Sequence, residues 1–399
     1  MAAHEVWSKN RELAETLQRL TFRVSREPLL ENADAIVAHI EVNDRHGVGV
    51  LIERLFGKQQ KILSIRSKNF YEGRQTFGAK HVRISHERTS RDRVIQNVLR
   101  ALDGATIHRI VCVPYFPDDV LTAIVLREIF NVPLCTYLMD DQNLAAAGIP
   151  DALLAELLEK SSLRLAISPE LCSGYEQKYG HKMWFMPPLV PARSIAVKSN
   201  YESSGAPVIV GNIWGQRWVE LLRATVGGSG IEIAWYNNGE FPWLPCSKED
   251  LKRDGVIPRE GRTSDDELIA ILRQAKFVVV PSGVLDDTDD RRFIAQFSLP
   301  SRIPFIFATS HAPMLVLGNA DTAAARFVTR SGIGVVAPYD RAAFLESVRR
   351  ITDPVENRRM RDAAAALAPR YSDAGAAEWI WRSLARGEPA DARFQQLLA

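Results

Sequence analysis

Residues 110–138 read IVCVPYFPDDVLTAIVLREIFNVPLCTYL, and this stretch decides the fold class of the chain. It holds an apolar run of strand length at 110–113, a helical pattern at 121–130 and a second apolar run at 134–138. A strand, a helix and a strand in this order are typical of a βαβ unit, whose two strands pair in parallel. The stretch therefore predicts an α/β fold built on a parallel sheet.

The same alternation extends to both sides of this stretch. Apolar runs that predict strands alternate with periodic patterns that predict helices, in the order 35–40, 48–56, 62–65, 93–102, 110–113, 121–130, 134–138, 152–160 and 165–167. Repeated βαβ units of this kind build a doubly wound sheet with helices on both faces. We therefore expect the first half of the chain to form one doubly wound domain.

A second domain of the same kind is predicted after a linker. Periodicity fails at 187–207, PPLVPARSIAVKSNYESSGAP, where Pro and Ser crowd together. The alternation restarts at 208–210, and the S-x-x-E pair of Ser264 and Glu267 is a capping box that predicts a helix start. The expected division is a first domain at 1–190, a linker at 191–205, a second domain at 206–375, and a C-terminal helix within 376–399 that packs back across the cleft.

Length and composition agree with two ordinary globular domains. The chain has 399 residues, of which 46% are hydrophobic and 25% are charged, a composition that excludes a disordered chain. No apolar run approaches the length of a membrane helix, and the N-terminus lacks the apolar region of a secretory signal. The four cysteines form no C-x-x-C pair, so we expect a reduced, cytoplasmic protein.

Charge is balanced overall but not locally. Fifty basic and 48 acidic residues give a net charge of +2, which offers no argument for a nucleic-acid partner. Residues 58–109, however, hold twelve Lys or Arg and four acids, a local balance of +8. Two interpretations stay open for this basic segment: it faces an anionic partner, or it is an ordinary solvated surface.

Two glycines follow the first predicted strand, in the loop NDRHGVGV at 43–50. Gly47 and Gly49, with His46 before them, would let backbone N–H groups approach an anion at a helix start. A dinucleotide fingerprint would need a third glycine where Ile52 stands and an acid where Arg66 stands. The loop therefore disfavours NAD, leaves NADP weakly open, and is also compatible with a simple tight turn.

The strand at 134–138 ends in a polar run that begins with Asp140 and Asp141. A carboxylate at the carboxyl end of a strand can accept a proton or hold sugar hydroxyls. Because adjacent side chains point in different directions, we expect one acid to be structural and one functional, with Asp141 facing the cleft. Asp140 is then the residue that caps the following segment.

Candidate anion-binding residues of the second domain also follow its strands: Gly211, Asn212, Trp214, Arg217, Ser282, Gly283, Leu299, Pro300, Ser301 and Arg302. The stretch 299–302 starts a helix with a proline, a hydroxyl and a cation, which suits a diphosphate at the positive end of the helix dipole. The D-x-D of Asp287 and Asp289 is expected to be a solvated loop. No histidine spacing suits a metal site, so we predict no metal.

Several stretches together resemble one enzyme family. They are AISPELCSGYEQKYG at 166–180, MPPLV at 186–190, VIVGNIWG at 208–215, FVVVPSG at 277–283 and SLPSRIPFIFATSHAPMLVLG at 298–318. With them the chain resembles the GT-B glycosyltransferases, in particular the family 4 group of bacterial sugar transferases. The resemblance covers both domains.

The resemblance implies two Rossmann-like domains whose parallel sheets face each other across a cleft. It implies transfer of a sugar from a nucleotide diphosphate sugar, a co-substrate and not a cofactor, to a glycan, polysaccharide or lipid-linked acceptor, without a metal and with retention of configuration. By similarity Ser282, Gly283, Ser301 and Arg302 would surround the diphosphate, and the loop with Gly47 and Gly49 would approach the sugar.

The chain departs from this family at one helix. The family usually carries a glutamate early in the helix after the P-S-[KR] stretch, where Phe305 and Ile306 stand here, and its paired-glutamate motif is absent. Three alternatives therefore stay open: a sugar-nucleotide epimerase of the same fold, an NADP-dependent oxidoreductase, and a non-catalytic glycan- or partner-binding protein. A lipid-linked acceptor would agree with a peripheral contact between the basic segment and the anionic inner face of a membrane.

Overall fold

The alternating pattern forms two parallel β-sheets in the computed structural model, which describes residues 30–38, 47–57, 59–67, 77–86, 90–237, 244–261 and 263–397. The two sheets have the same strand order over their first six strands, and every strand pairs in parallel with its neighbours. The predicted fold class, two doubly wound α/β units, is confirmed.

The first unit has seven strands: β1 (Ala33–Ala38), β2 (Ile62–Arg66), β3 (Lys80–Arg83), β4 (Ile107–Val113), β5 (Leu134–Leu138), β6 (Leu163–Ala166) and β7 (Trp184–Phe185). They lie in the order β3-β2-β1-β4-β5-β6-β7. The helices of this unit are α1 (Gly47–Phe56), α2 (Arg91–Leu102), α3 (Pro117–Phe130), α4 (Asp151–Lys160) and α5 (Pro169–Tyr179).

The second unit has six strands: β8 (Val208–Val210), β9 (Ile233–Tyr236), β10 (Val256–Pro258), β11 (Val278–Pro281), β12 (Met314–Leu317) and β13 (Gly334–Ala337). Their order is β10-β9-β8-β11-β12-β13. The helices are α6 (Gln216–Val226), α7 (Lys248–Arg253), α8 (Asp265–Gln274), α9 (Arg292–Phe297), α10 (Arg302–Ser310), α11 (Ala323–Ser331), α12 (Arg341–Thr352) and α13 (Pro354–Leu367), and a last helix, α14 (Ala376–Arg386), follows them.

Burial on both faces of the sheets explains why their strands read as continuous apolar runs. Every residue of β1, β5 and β12 is buried, as expected for parallel strands covered by helices on both sides. Helix starts follow the predicted chemistry: Ser264 Oγ accepts the N–H of Glu267, whose carboxylate accepts the N–H of Ser264. On α8, Ile269 is buried more fully than Leu268 and Ile271.

Helix α14 packs into the core of the first unit, although it follows the second unit in the chain. Its residues Trp379, Ile380, Trp381 and Leu384 belong to the same buried cluster as β1 and β4. The Trp381 ring lies 5.1 Å from the ring of Phe56, and the Arg109 guanidinium stacks on it at 3.8 Å. The chain therefore returns from the second unit to complete the first.

The two crossings between the units run side by side. Val190, on the outgoing crossing, donates its N–H to the carbonyl oxygen of Tyr371 and accepts the N–H of Asp373 on the returning one, both at 2.9 Å. Beyond this pair the linker lies on the second unit, where the Gly205 N–H donates to the Gln274 carbonyl at 2.8 Å. No helix in the described ranges is long and apolar enough to cross a membrane.

Candidate functional site

Strand order marks where each unit can bind a ligand. In the second sheet the chain moves outward from β8 through β9 to β10 and then returns to the other side of β8 with β11. The loops after β8 and β11 therefore diverge and leave a crevice at the carboxyl ends of these two strands, the usual ligand site of doubly wound sheets. Gly211 follows β8 and Ser282 follows β11, so the structure brings these two candidate residues to the crevice.

The loop after β8 is held in a fixed shape by its backbone. Gly211 has a φ of +78°, a conformation that favours glycine. Its N–H donates to the Tyr236 carbonyl at 2.8 Å, and its own carbonyl accepts the indole N–H of Trp235 at 2.9 Å. The chain turns at Gly211, and α6 begins five residues later at Gln216.

Arg302 is part of this crevice and also supports its loop. Its Nη1 donates to the Val210 carbonyl at 3.1 Å, and its Nη2 donates to the Asn212 carbonyl. Burial lowers the pKa of Arg302 to about 10, still well above neutral pH. Among the described residues no carboxylate forms an ion pair with it, so its positive charge stays available to an anion. Arg302 is therefore a structural clamp as well as the predicted anion-binding cation.

Two polar atoms, one in this loop and one in the first turn of α6, are buried without a partner. Asn212 Oδ1 and Arg217 Nε have no hydrogen-bond partner within the part of the chain that the structure describes. Such orphaned atoms are rare in folded proteins and call for a missing partner. The Trp214 side chain between them is 47% exposed, an unusual position for an indole. The loop at 211–215 and the first turn of α6 therefore combine unpartnered polar atoms with an exposed indole.

The start of α10 completes this side of the crevice. Pro300 and Ser301 are half-buried where the helix begins, and the Ser301 side chain makes no capping hydrogen bond. The first-turn N–H groups of such a helix start carry a partial positive charge. Leu299 differs from its neighbours, because it is 3% exposed and packs in the core of the second unit. Leu299 therefore anchors the start of α10 in this core.

The loop after β11 has an internal carboxylate that the sequence analysis missed. Asp289 is buried and accepts the indole N–H of Trp218 and the backbone N–H groups of Val284, Leu285 and Arg291 at 2.8–3.1 Å. The expectation of a solvated D-x-D loop is therefore wrong for Asp289, whereas Asp287 is exposed and pairs with Arg292 at 3.2 Å.

Packing against this carboxylate explains why position 283 is a glycine. A Cβ at Gly283 would lie 2.5 Å from Asp289 Oδ2 and 2.5 Å from the Ala295 Cβ. Ser282 is fixed beside it, since its N–H donates to the Leu317 carbonyl and its carbonyl accepts the Tyr339 hydroxyl, both at 2.8 Å. The backbone at Ser282 and Gly283 is thus rigid at the crevice, but the glycine is explained by internal packing.

The corresponding crevice of the first unit lies between β1 and β4. Helix α1 begins at Gly47, which puts Gly47 and Gly49 at a helix N-terminus near this crevice, and Gly49 is buried. His46 and the rest of the predicted loop before it lie outside the described residues. Positions 47 and 49 therefore stand where the sequence expected them, at the start of the helix after β1.

The two adjacent acids after β5 have roles opposite to those expected. Asp141 is 1% exposed, and its carboxylate accepts the backbone N–H groups of the next loop at 2.7–3.1 Å, from Asn143, Leu144, Ala145 and Ala146. A carboxylate used in this way shapes a loop and does not face a cleft. The expected cleft position of Asp141 is therefore wrong in the structure.

Asp140 occupies the place expected for Asp141. It is half-buried at the carboxyl end of β5, and its Oδ2 accepts the Tyr115 hydroxyl at 2.5 Å. Burial raises the pKa of Asp140, an effect opposed by the hydroxyls of Tyr115 and of Ser298 from the second unit. Because Ser298 stands only four residues before Arg302, Asp140 lies between the first unit and the anion-binding side of the second.

A further contact fixes this approach of the two units. The Ser168 hydroxyl, at the start of α5, donates to the carbonyl of Phe297, whose ring packs against the core of the first unit. Tyr115 and Ser298 were both missed by the sequence analysis, and only the polar run after β5 could have suggested that polar partners lie near it. The strand ends of both units thus meet around Asp140 and the residues next to α10.

Comparison with known proteins gives matches in structure alone. No protein-family model and no curated protein sequence matches the chain. Among solved structures, Anabaena HepE in complex with UDP has a TM-score of 0.64 at 11% identity over 89% of this chain and 100% of its own. A glycosyltransferase from Rickettsia africae has a TM-score of 0.61 at 10% identity over 89% and 98%.

An enzyme of another class is also similar. A UDP-N-acetylglucosamine 2-epimerase has a TM-score of 0.54 at 10% identity over 88% of this chain and 96% of its own. At such identities the likeness concerns the fold. Two doubly wound units, crossed twice by the chain and matched over 89% of its length by two glycosyltransferase structures, show that the chain has the GT-B fold.

Proposed function

We propose that the chain transfers a sugar from a nucleotide diphosphate sugar to an acceptor in the cleft between its two units. The observation that carries the proposal is the crevice after β8. It combines the Arg302 guanidinium, which has no carboxylate partner among the described residues, with the buried, unpartnered Asn212 Oδ1 and Arg217 Nε. The two guanidinium groups supply fixed positive charge, which stabilises a leaving diphosphate, whereas the Asn212 oxygen can accept a hydrogen bond from a hydroxyl or N–H group of the nucleoside. The UDP bound to HepE, a protein of the same fold, supports this choice of ligand.

The leaving diphosphate would be neutralised by the chain itself. Arg302 and the first-turn N–H groups of α10 supply positive charge on the same side of the crevice. We therefore propose a reaction without a metal, in which addition of EDTA leaves turnover unchanged. By the family resemblance we also propose retention of configuration at the transferred sugar, which NMR of the anomeric proton of the product tests.

Asp140 is the residue of the first unit that we propose to contact the transferred sugar or the acceptor. It is half-buried between the units, and a carboxylate there can accept hydrogen bonds from sugar hydroxyls or a proton from the acceptor. The acceptor that we propose is a glycan, a polysaccharide or a lipid-linked sugar of a bacterial biosynthetic reaction, with the basic segment in contact with an anionic membrane.

Nucleotide binding tests the proposal directly. Isothermal titration calorimetry with UDP and other nucleoside diphosphates should give a single site, because Arg302 and Arg217 lie at the same crevice after β8. Arg217→Ala should weaken binding by about tenfold, the effect of losing one hydrogen bond to a charged group, and Asn212→Ala by about threefold, the effect of losing one neutral hydrogen bond. Arg349→Ala removes an exposed charge on α12 and is the matched control. The absence of any nucleotide binding would refute the proposal.

A sugar-nucleotide epimerase is the second candidate, because the fold is shared with such an enzyme. An epimerase would convert the donor without any acceptor. Incubation of the protein with sugar nucleotides alone, followed by NMR of the sugar ring, separates the two functions. Inversion of a ring carbon in the absence of acceptor would establish the epimerase. A donor that stays unchanged alone and is consumed only when acceptor is added supports transfer.

A further inference from the structure

A short hydrogen bond links Tyr115 to the carboxylate that faces the second unit. The Tyr115 hydroxyl donates to Asp140 Oδ2 at 2.5 Å, and both side chains are half-buried. Tyr115 follows β4 and Asp140 follows β5, two neighbouring strands of the first sheet. A hydroxyl that donates to one oxygen fixes the rotation of the carboxylate.

Tyr115 is itself fixed by a second carboxylate. Asp119 Oδ2 accepts the backbone N–H groups of Tyr115 and Phe116 at 3.0 Å each, and Asp119 Oδ1 accepts the Ser67 hydroxyl at 2.6 Å. Asp119 is completely buried. Every one of these bonds is made within the chain, so Asp119 is a support and not a candidate for ligand binding.

The place of this network in the sheet connects it to the crevice of the first unit. Ser67 follows β2, whereas Asp119 lies just after β4, and β1 stands between these two strands. The Ser67–Asp119 hydrogen bond therefore spans the carboxyl end of β1, where the order of the strands reverses. Hydrogen bonds thus connect Ser67 to Asp119, Asp119 to the Tyr115 backbone, and the Tyr115 hydroxyl to Asp140.

We infer that Tyr115 is a positioning residue, which orients the Asp140 carboxylate and favours its ionised form, and that Asp119 holds Tyr115 in place. The inference rests on the proposed function, because the role of Asp140 toward a sugar hydroxyl belongs to that proposal. The groups that face the Asp140 carboxylate are Tyr115, Ser298 and the neighbouring Asp141. Of these, Tyr115 is the donor whose hydroxyl lies at 2.5 Å.

The experiment uses Tyr115→Phe, which removes the hydroxyl and keeps the ring. The matched control is Tyr137→Phe on β5, whose buried hydroxyl donates to the Met186 carbonyl at 2.8 Å. In protein labelled with carbon-13 at the aspartate carboxyl groups, Asp140→Asn identifies the Asp140 resonance. An NMR titration then measures the pKa of Asp140 without any need for turnover. We expect a higher pKa in Tyr115→Phe than in the wild type, and an unchanged pKa in Tyr137→Phe.

Turnover gives the second readout. Tyr115→Phe should lower kcat at neutral pH by about tenfold and move the acid limb of the pH profile to higher pH, while the Kd for UDP stays within twofold of the wild-type value. UDP binding is spared because its proposed site lies in the second unit. An effect on kcat that is confined to Tyr115→Phe supports positioning, since a merely structural hydroxyl would not move the pH profile.

Failure of the inference and failure of the proposed function give different results. If the pKa of Asp140 is the same in Tyr115→Phe and in the wild type, the positioning role is overturned, whether or not the protein transfers sugar. If the pKa rises as expected but the protein binds no nucleotide, the coupling of Tyr115 to Asp140 is supported and the proposed function is refuted.

Discussion

At the scale of single residues, Asp140 and Asp141 have the same side chain but different roles, because their surroundings differ. Asp140 and Asp141 follow the same strand, but Asp141 is surrounded by the N–H groups of residues 143–146, while Asp140 meets a hydroxyl and the second unit. The sequence predicts a polar strand end and a division of roles. It does not tell which acid turns inward, because that depends on the path of the loop that follows.

Loss of the Asp141 carboxylate should destabilise the first unit. Asp141→Ala leaves four backbone N–H groups without an acceptor, and we expect the free energy of unfolding to fall by about 3 kcal/mol. Urea unfolding followed by circular dichroism measures it. Asp287→Ala, at an exposed loop position, is the control and should change the free energy by less than about 0.5 kcal/mol. An equally small effect of both substitutions would contradict the loop-shaping role.

Asp119 should make stability depend on pH. Burial raises its pKa from an ordinary 3.8 to about 6, against the opposing hydrogen bonds from Ser67, Tyr115 and Phe116. The folded protein then holds a proton that the unfolded chain releases near pH 4, so this contribution to the free energy of unfolding is full below pH 4. It is lost as the pH rises to about 6.

The measurement is a series of urea titrations between pH 4 and pH 7. The full effect of Asp119 is about 3 kcal/mol, from a pKa difference of roughly two. Asp119→Asn cannot titrate, so the difference in unfolding free energy between it and the wild type should change across this range. A constant difference would mean that the pKa of Asp119 is not raised.

At the scale of elements, predicted strands and helices are accurate where burial is complete. The limits of β5, β8 and β12 coincide with apolar runs, because both faces of these strands are covered. Strand β3 was missed because it is an edge strand of sequence KHVR in which only Val82 is buried. An edge strand is held by backbone pairing with its neighbour, and its side chains give no periodic signal.

Candidate loops were predicted well, and the functions of their side chains less well. Parallel strands bring their carboxyl ends to one edge, so the loops after β8 and β11 had to lie near each other. Arg302 bonds to Val210, 92 positions away in the sequence, and Asp289 bonds to Trp218, 71 positions away. Such contacts depend on tertiary packing, which a single sequence does not encode as a local pattern.

Helix α14 should be essential to the first unit. Trp381 is 8% exposed, lies against Phe56 and carries the Arg109 guanidinium on its ring. We expect Trp381→Ala to lower the free energy of unfolding by about 3–5 kcal/mol, as for other large aromatic side chains in cores. Trp214→Ala, at a 47% exposed position in the crevice loop, should leave stability nearly unchanged and is the control. Chemical unfolding followed by circular dichroism distinguishes the two variants.

At the scale of the whole molecule, the same topology is used twice, and the two copies are in contact near the carboxyl ends of their strands. The Ser168 hydroxyl, after β6 of the first unit, donates to the carbonyl of Phe297 in the second, and Ser298 follows Phe297. These two residues immediately precede the stretch that begins α10. A movement of one unit relative to the other would therefore shift the proposed diphosphate site and the proposed sugar contact together.

Several basic residues in the described part of the 58–109 segment are paired or hydrogen-bonded within the protein. Arg91 pairs with Glu128 and Glu156, and Arg109 pairs with Asp34 at 2.5 Å. Lys80 donates to the Leu102 carbonyl. What is left on the outer face of α2 is Arg93 and Arg100, two helical turns apart, both exposed, with the 49% exposed Leu99 beside Arg100.

This face of α2 should bind an anionic membrane surface reversibly. At about 1 kcal/mol for each basic residue near such a surface, Arg93 and Arg100 with the other basic residues of the segment would give weak attraction that falls as salt rises. We expect the protein to sediment with anionic liposomes at low salt and not with neutral ones.

The double variant Arg93→Glu and Arg100→Glu should lose most of this binding, because it replaces attraction by repulsion at both positions. Charge reversal at Arg349 and Arg350 on α12 of the second unit is the control. Equal sedimentation of wild type and both double variants would show that α2 does not contact the membrane and would favour a water-soluble acceptor.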